Sequence, residues 1–304
     1  MKAPKRQSVS TGVKHIPGNG YSIEGMQRRD FLALAAASAA LSYARPLKVI
    51  GAQLYTVRGI LPKEPLETLR AIEKIGYREV EVTADNMDLI WPSLKQTSLK
   101  PVSLHLPTSV FMKDQDKIPA ALEKAKNHGF EYVVCPYIAP ADRGGADVMR
   151  KLADTLNKAG ELARKAGLHL CYHNHAFEFE PSGDGTLLDV LMKAADPKLV
   201  SLELDIMWVK VGGGDPVSVL KQYRNRVALM HLKNVVEGTE KRYKEDIPRT
   251  AFSEVGKGMI EILPVLRAAA KAGVKHYFVE QDQTPGNPLD SLRESFDYVS
   301  KLDV

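Results

Sequence analysis

Four stretches of the chain share one pattern of polar and apolar positions: IEKIGYREVEV at 72–82, KNHGFEYVV at 126–134, RKAGLHLCY at 164–172 and AKAGVKHYFVE at 270–280. Each is a basic helix end, a glycine, and a run rich in β-branched, aromatic and leucine residues. Glycine just past a helix takes the left-handed conformation that ends it, and cations in the last turn complement the helix dipole. The pattern therefore predicts helix-to-strand junctions. Filling in between them places strands near 48–54, 78–83, 101–106, 131–137, 168–174, 199–205, 227–232 and 275–281. Helices fall between the strands, with apolar residues at three- and four-residue spacing in Leu66, Leu69, Ile72 and Ile75, and again along Met149, Leu152, Leu156 and Leu162. Eight strands alternating with helices, with no Pro/Gly/Ser linker to divide them, point to one α/β domain at residues 45–304, a (βα)8 barrel. An open doubly wound sheet is the alternative, but no GxGxxG follows the first strand.

The N-terminus changes the picture of where such a domain works. Residues 27–44, QRRDFLALAAASAALSYA, run from paired arginines through a short alanine-rich apolar stretch to small residues. That is the order of an export signal, and the stretch is too short for a membrane span of about 20 residues. Arg28-Arg29 followed by Asp30, Phe31 and Leu32 resembles a twin-arginine translocation signal, with Gln27 where that pattern usually has Ser or Thr. Residues 1–44 are accordingly expected to be a leader, the mature protein periplasmic and free of a membrane anchor once the signal is cleaved, with Met26 as an alternative start. The leader also carries the charge imbalance. Of 42 Lys and Arg and 37 Asp and Glu in the chain, it holds six and two, leaving 36 against 35 in the body. A nearly neutral body lacks the basic footprint of a nucleic-acid binder. Cys135 and Cys171 lie inside apolar runs, where buried thiols are the default.

Candidate chemistry gathers at the C-terminal ends of the expected strands, where a barrel of this kind keeps its active site. The ends supply Gln53 and Tyr55, Glu81, His105, Tyr137, the segment CYHNHAFE with His173, His175 and Glu178, then Glu203, Asp205 and Trp208, His231 and Lys233, and Glu280 with Asp282. So many ionisable groups at one mouth are costly unless they pair or hold a cation. His173, Asp205, His231 and Glu280 come from four successive strands and are side chains that one divalent ion, Mn²⁺, Co²⁺, Zn²⁺ or Mg²⁺, accepts as ligands. His105, Tyr137, His175, Trp208 and Gln53 are candidate contacts for a substrate. Residues 234–257 are strongly polar, and read either as a cover over the site or as a solvated insertion.

The motifs GAQLYTVR, GYREVEV, YHNHAFEF, ELDIMWVKVGGGDP, MHLKN, GKGMIEI and VEQD, in this order over about residues 47–303, resemble the xylose isomerase-like barrel superfamily of sugar phosphate isomerases and epimerases. The resemblance implies a ligand set of a glutamate, an aspartate, a histidine and a glutamate ending strands five to eight. His173 stands where the first glutamate belongs. It further implies a metal-dependent isomerase or epimerase working by α-proton abstraction, and the export signal points to a free sugar, keto-sugar or glycoside as its substrate in place of a sugar phosphate. Glu280 or Glu178 is then the base, and Lys233 steadies the enediolate. A lyase acting on 3-keto-glycosides, or a non-catalytic sugar-binding barrel, is the alternative. The expected partner is a small carbohydrate, not nucleic acid, and the oligomeric state is left open.

Overall fold

Eight parallel strands close into a barrel in the computed structural model, which describes Leu47 and residues 49–304. The expected leader, with its paired arginines, lies outside the described residues. The strands are β1 (Gly51–Gln53), β2 (Glu79–Thr83), β3 (Lys100–His105), β4 (Tyr132–Cys135), β5 (His169–His173), β6 (Val200–Asp205), β7 (Val227–Leu232) and β8 (His276–Val279). They alternate with α1 (Pro65–Ile75), α2 (Ala84–Leu94), α3 (Ile118–Asn127), α4 (Gly145–Ala166), α5 (Leu187–Ala194), α6 (Pro216–Gln222), α7 (Ile262–Ala272) and α8 (Pro288–Val299). Each strand overlaps its expected span. Neighbours in sequence are neighbours in space, and β8 closes on β1 through Gly51 opposite Phe278 and Ala52 opposite Val279.

Alternation along each strand divides the core in two. Outward side chains such as Val80, Val82, Leu104, Val133, Leu202 and Leu204 pack under the helices, while Val102, Tyr132, Val134, Cys171, Leu229 and Phe278 fill the interior of the barrel. Burying one such side chain stabilises the fold by roughly 1.5–3 kcal/mol. Both cysteines are buried and unpaired, as expected. The apolar face of α4 is Met149, Leu152, Leu156, Ala159 and Ala163. Leu162, expected on that face, is instead 37% exposed. Six residues at about 100° each carry it well off the line of Leu156. Gly160 is required in the same helix, because a Cβ there would stand 2.7 Å from the Leu199 carbonyl oxygen. The helix ends at Gly167, whose φ of 81° is left-handed, as the sequence pattern implies.

Two irregularities position the site. The register between β2 and β3 shifts between Val80 and Glu81, and that between β6 and β7 shifts between Leu202 and Glu203. Such shifts re-aim the side chains that follow them.

Candidate active site

The C-terminal ends of the strands converge on a buried cluster of imidazoles and carboxylates. Glu203 is its hub: one oxygen, Oε2, lies 2.8 Å from His105 Nε2, 2.9 Å from His173 Nδ1 and 3.5 Å from His231 Nε2. Glu81 Oε2 is 2.6 Å from His231 Nε2 and 2.9 Å from His105 Nε2. One layer further out, His231 Nδ1 is 2.7 Å from Glu280 Oε2, and His173 Nε2 is 3.6 Å from Asp205 Oδ2. Lys233 Nζ stands among three carboxylates, 2.7 Å from Glu280, 3.1 Å from Asp205 and 3.0 Å from Asp282. The Asp205 carboxylate is held from behind. Its Oδ1 accepts from the backbone N–H of Met207 and Trp208, capping the short helix Ile206–Val211 and leaving Oδ2 to the site.

Burial and charge compete at every group. Burial opposes charge on His105, but Glu81 and Glu203 beside it raise its pKa to about 9. His231 is raised well above the ordinary value in the same way, against burial, by Glu203, Glu81 and Glu280. His173 goes the other way: burial and the nearby His231 keep it neutral, with Glu203 opposing. Burial would raise Glu280, yet Lys233 and His231 hold it well below the usual carboxylate range. Burial likewise opposes the Lys233 ammonium, and Asp205, Asp282 and Glu280 raise its pKa well above normal.

Above the cluster opens a cavity of about 590 Å³, lined among others by His105, Tyr137, His173, His175, Trp208, Lys233 and Glu280. Four of the five expected substrate contacts thus face it. His175 stacks on Trp208 with ring centroids 5.5 Å apart and meets Tyr137 edge-on at 4.8 Å. The polar segment after β7 is anchored by a short antiparallel pairing of Asn234–Val235 with Phe252–Ser253, and it brings Glu245 and Phe252 to the cavity wall.

Gln53 and Glu178 do not stand where they were expected. Gln53 is fully buried beneath the cavity and donates from Nε2 to Glu81 Oε2 at 2.6 Å, so it positions a carboxylate and has no face toward a substrate. Glu178 does not reach back to the cluster. Its carboxyl accepts from the Tyr172 hydroxyl at 2.6 Å and the His175 backbone N–H at 2.9 Å. Tyr172 points out of the barrel where His173 points in, because adjacent strand residues face opposite ways, and Glu178 is drawn to that outer side. Glu81 and Glu203 are recognisable in the sequence as strand-end carboxylates, but nothing there assigns them a role. The i, i+2 spacing of Glu203 to Asp205 puts those two on one face, and it does not reveal that Glu81 and Glu203 meet three histidines.

Two sets of ligand atoms lie within 4.8 Å of one another: His105, His173, Glu203 and His231, and Asp205, His231 and Glu280. They share His231. The expected quartet is therefore split, with His173 in the first set and the other three in the second. The residues fit a divalent ion on two counts. Imidazole and carboxylate are the donors that Zn²⁺ and Mn²⁺ take. In addition, Glu81 Oε1 and Glu203 Oε1 are buried with no hydrogen-bond partner among the described residues, an expensive arrangement that a cation would relieve.

Similarities to known proteins agree with this architecture. An inosose dehydratase of Bacillus cereus (strain AH820) is 34% identical over 163 residues, 50% of this chain and 53% of that protein, so the chain spans about half the length of the curated relatives it matches. A sugar phosphate isomerase/epimerase from Parabacteroides distasonis ATCC 8503 superposes with a TM-score of 0.65 at 23% identity, covering 85% of this chain and 94% of that one. The IOLI protein with a bound zinc atom superposes with a TM-score of 0.63 at 14% identity, covering 83% and 98%. These two structures are alike in fold. Residues 69–302 match the family described as xylose isomerase-like TIM barrel, and the chain belongs to that family.

Proposed function

We propose that the protein is an enzyme that removes the proton next to the ketone of a polyhydroxylated ring, a keto-sugar or 3-keto-glycoside, and expels the oxygen substituent one carbon further on. The observation that carries this reading is the one-sided arrangement of bases. Glu280, ionised beside Lys233, faces the cavity, while a neutral imidazole, His173, occupies the strand-five position where a two-base epimerase would carry its second carboxylate. One base removes a proton, and without a second carboxylate opposite it, elimination is favoured over return of the proton to the other face. The dehydratase relative, which by its name removes water from an inosose, supports elimination over the isomerase or epimerase reaction expected from the family resemblance.

Residues of the two sets around His231 would hold a divalent ion, which when bound would supply Lewis acidity for activating a ketone. The ionised Glu280 is in the form that accepts a proton; the contacts that keep it ionised also weaken it as a base, so it needs a carbon acid already activated by a ketone. Lys233, 2.7 Å from Glu280, places an ammonium where the enolate oxygen gains charge. Gln53 holds Glu81 in place, and Trp208 with His175 offers an apolar wall to a ring face. The twin-arginine pattern of the leader supports a periplasmic site of action, where free sugars and glycosides are a more fitting substrate class than sugar phosphates.

Proton NMR in D₂O with metal-loaded protein and a panel of ketoses and 3-keto-glycosides tests this. Deuterium entering next to the ketone, with an unsaturated ketone as product, is the expected result. Exchange with an epimer or isomer as product would replace the elimination step, and no exchange with any of them would end the proposal. Glu280→Gln, with its metal content measured alongside, is expected to abolish exchange.

A further inference from the structure

A second cavity of about 550 Å³ lies beside the first. Tyr137 and Glu245 line both, so the two cavities adjoin at these side chains, one from the end of β4 and one from the segment after β7. Its walls are chemically unlike those of the first cavity. Phe177, Met149, Val148 and Leu187 give it an apolar lining, and Arg143 provides one fixed cation. Arg143 is tied down on every side: Nε donates to the Ile138 carbonyl at 3.0 Å, Nη2 to Glu245 at 2.9 Å, and the guanidinium lies 3.8 Å over the Phe177 ring and 5.2 Å from the centre of Tyr137. The other oxygen of Glu245, Oε1, is buried without a hydrogen-bond partner among the described residues. A buried acceptor left unpaired where two cavities adjoin calls for a donor such as a hydroxyl.

We propose that the second cavity is the subsite for the glycosidic substituent of the substrate, so that the natural substrate is a glycoside and not a free monosaccharide. This rests on the reading of the first cavity as a keto-sugar site. Ligand cavities span about 300–1,000 Å³, so each of the two is large enough on its own and a single sugar ring fills only one. The chemistry links them. In a 3-keto-glycoside, the proton on C2 goes to the base, its C–H electron pair becomes the C1–C2 double bond, and the C1–O pair departs with the substituent, whose oxygen takes up one proton. The departing group must then lie next to the reacting ring and outside the polar cluster. An aromatic, mostly apolar chamber with an unpaired acceptor in the wall it shares with the first cavity suits a group with one apolar face and a hydroxyl, either a second sugar or an aromatic aglycone. Tyr137, which is half-buried and lines both cavities, provides the stacking surface, and Phe177 beneath Arg143 holds the guanidinium in place.

Calorimetric binding tests this apart from turnover, using glucose, phenyl glucoside and a glucose disaccharide as non-reacting probes with the wild type, Val148→Trp and Val148→Ala. Val148 is half-buried on the first turn of α4, so a larger side chain there fills the chamber without entering the barrel core. The wild type is expected to bind at least one of the two glucosides tenfold or more tightly than glucose, the better of the pair identifying the substituent. Val148→Trp is expected to erase that advantage while leaving glucose affinity within twofold, and Val148→Ala to keep it. Equal affinity for all three probes in the wild type, no binding of any, or an unaltered preference in Val148→Trp overturns the subsite. Deuterium exchange on 3-keto-glucose reports on the first cavity alone: its absence, with the binding preference intact, would overturn the reaction and spare the subsite.

Discussion

Glu178→Gln isolates one buried carboxyl in a chain crowded with them. Glu178 is fully buried, and burial raises its pKa from 4.5 to about 8, against the hydrogen bonds from Tyr172 and the His175 backbone. The unfolded chain therefore releases this proton near 4.5 while the folded chain holds it to about 8. The contribution to stability is full below the lower value, declines as pH rises, and is lost above the upper one. At about 1.4 kcal/mol per pK unit, the interval from 4.5 to about 8 corresponds to roughly 5 kcal/mol. Glutamine keeps the length of the side chain and an oxygen for the Tyr172 hydroxyl, but does not titrate. The stability of the variant relative to wild type should thus rise by on the order of 4 kcal/mol between pH 5 and pH 8.5. Urea denaturation of both proteins in a chelating buffer, followed by tryptophan fluorescence, measures that double difference, in which the other titrating groups cancel. A difference that stays constant with pH, or that moves in favour of the wild type, would mean the two hydrogen bonds outweigh burial and Glu178 is ionised in the fold.

Removing metal with a chelator should lower the melting temperature, and added Zn²⁺ or Mn²⁺ should restore it; an ion at 100 times its Kd contributes about 2.7 kcal/mol, and a melting curve indifferent to both treatments would count against the metal centre. Lys233→Met leaves Asp205, Glu280 and Asp282 facing one another without their shared cation. It should cost about 3–5 kcal/mol in denaturation and abolish deuterium exchange on a keto-sugar, whereas full exchange in the folded variant would remove Lys233 from the chemistry. Gly258→Ala places a Cβ 2.3 Å from the Val235 carbonyl oxygen and 2.4 Å from Asn234 Oδ1, the acceptor that ties the returning segment to Val235 and Ile260. A loss of about 1–3 kcal/mol is expected, readable as a lowered urea midpoint, and an unchanged midpoint would show that the segment yields without cost.

The barrel was legible because its evidence is local and repeated. A glycine after a basic helix end, followed by a β-rich run, marks a junction wherever it occurs, and eight alternations leave few topologies. The strand ends were legible as an inventory for the same reason, since period-two alternation places Glu203 with Asp205, and His173 with His175, on one face. Glu178 escaped because it lies beyond β5 in a short 3₁₀ turn, Phe177–Phe179, where that alternation no longer applies. Gln53 has the right face and the wrong depth: β1 ends at Gln53, and its amide is taken up by Glu81 before it reaches the cavity.

The hub of the cluster was hidden for a more specific reason, which lies in register. Had β6 and β7 continued in step after Leu202 opposite Val227, Glu203 would stand opposite Ala228. The shift sets it opposite Leu229, two residues before His231 and on the same face. Between β2 and β3, continuing in step would set Glu81 opposite Val102; the shift sets it opposite Ser103, two residues before His105. Each shift falls immediately before a fully buried carboxylate and brings it to the inward row of the histidine it contacts. Hydrophobic periodicity records which face a residue takes and carries no information on how far one strand slides past the next. Since the hydrogen bonds of 2.6–2.9 Å that Glu81 and Glu203 accept from the imidazoles depend on that slide, the two register shifts are part of the site, as much as the side chains they deliver.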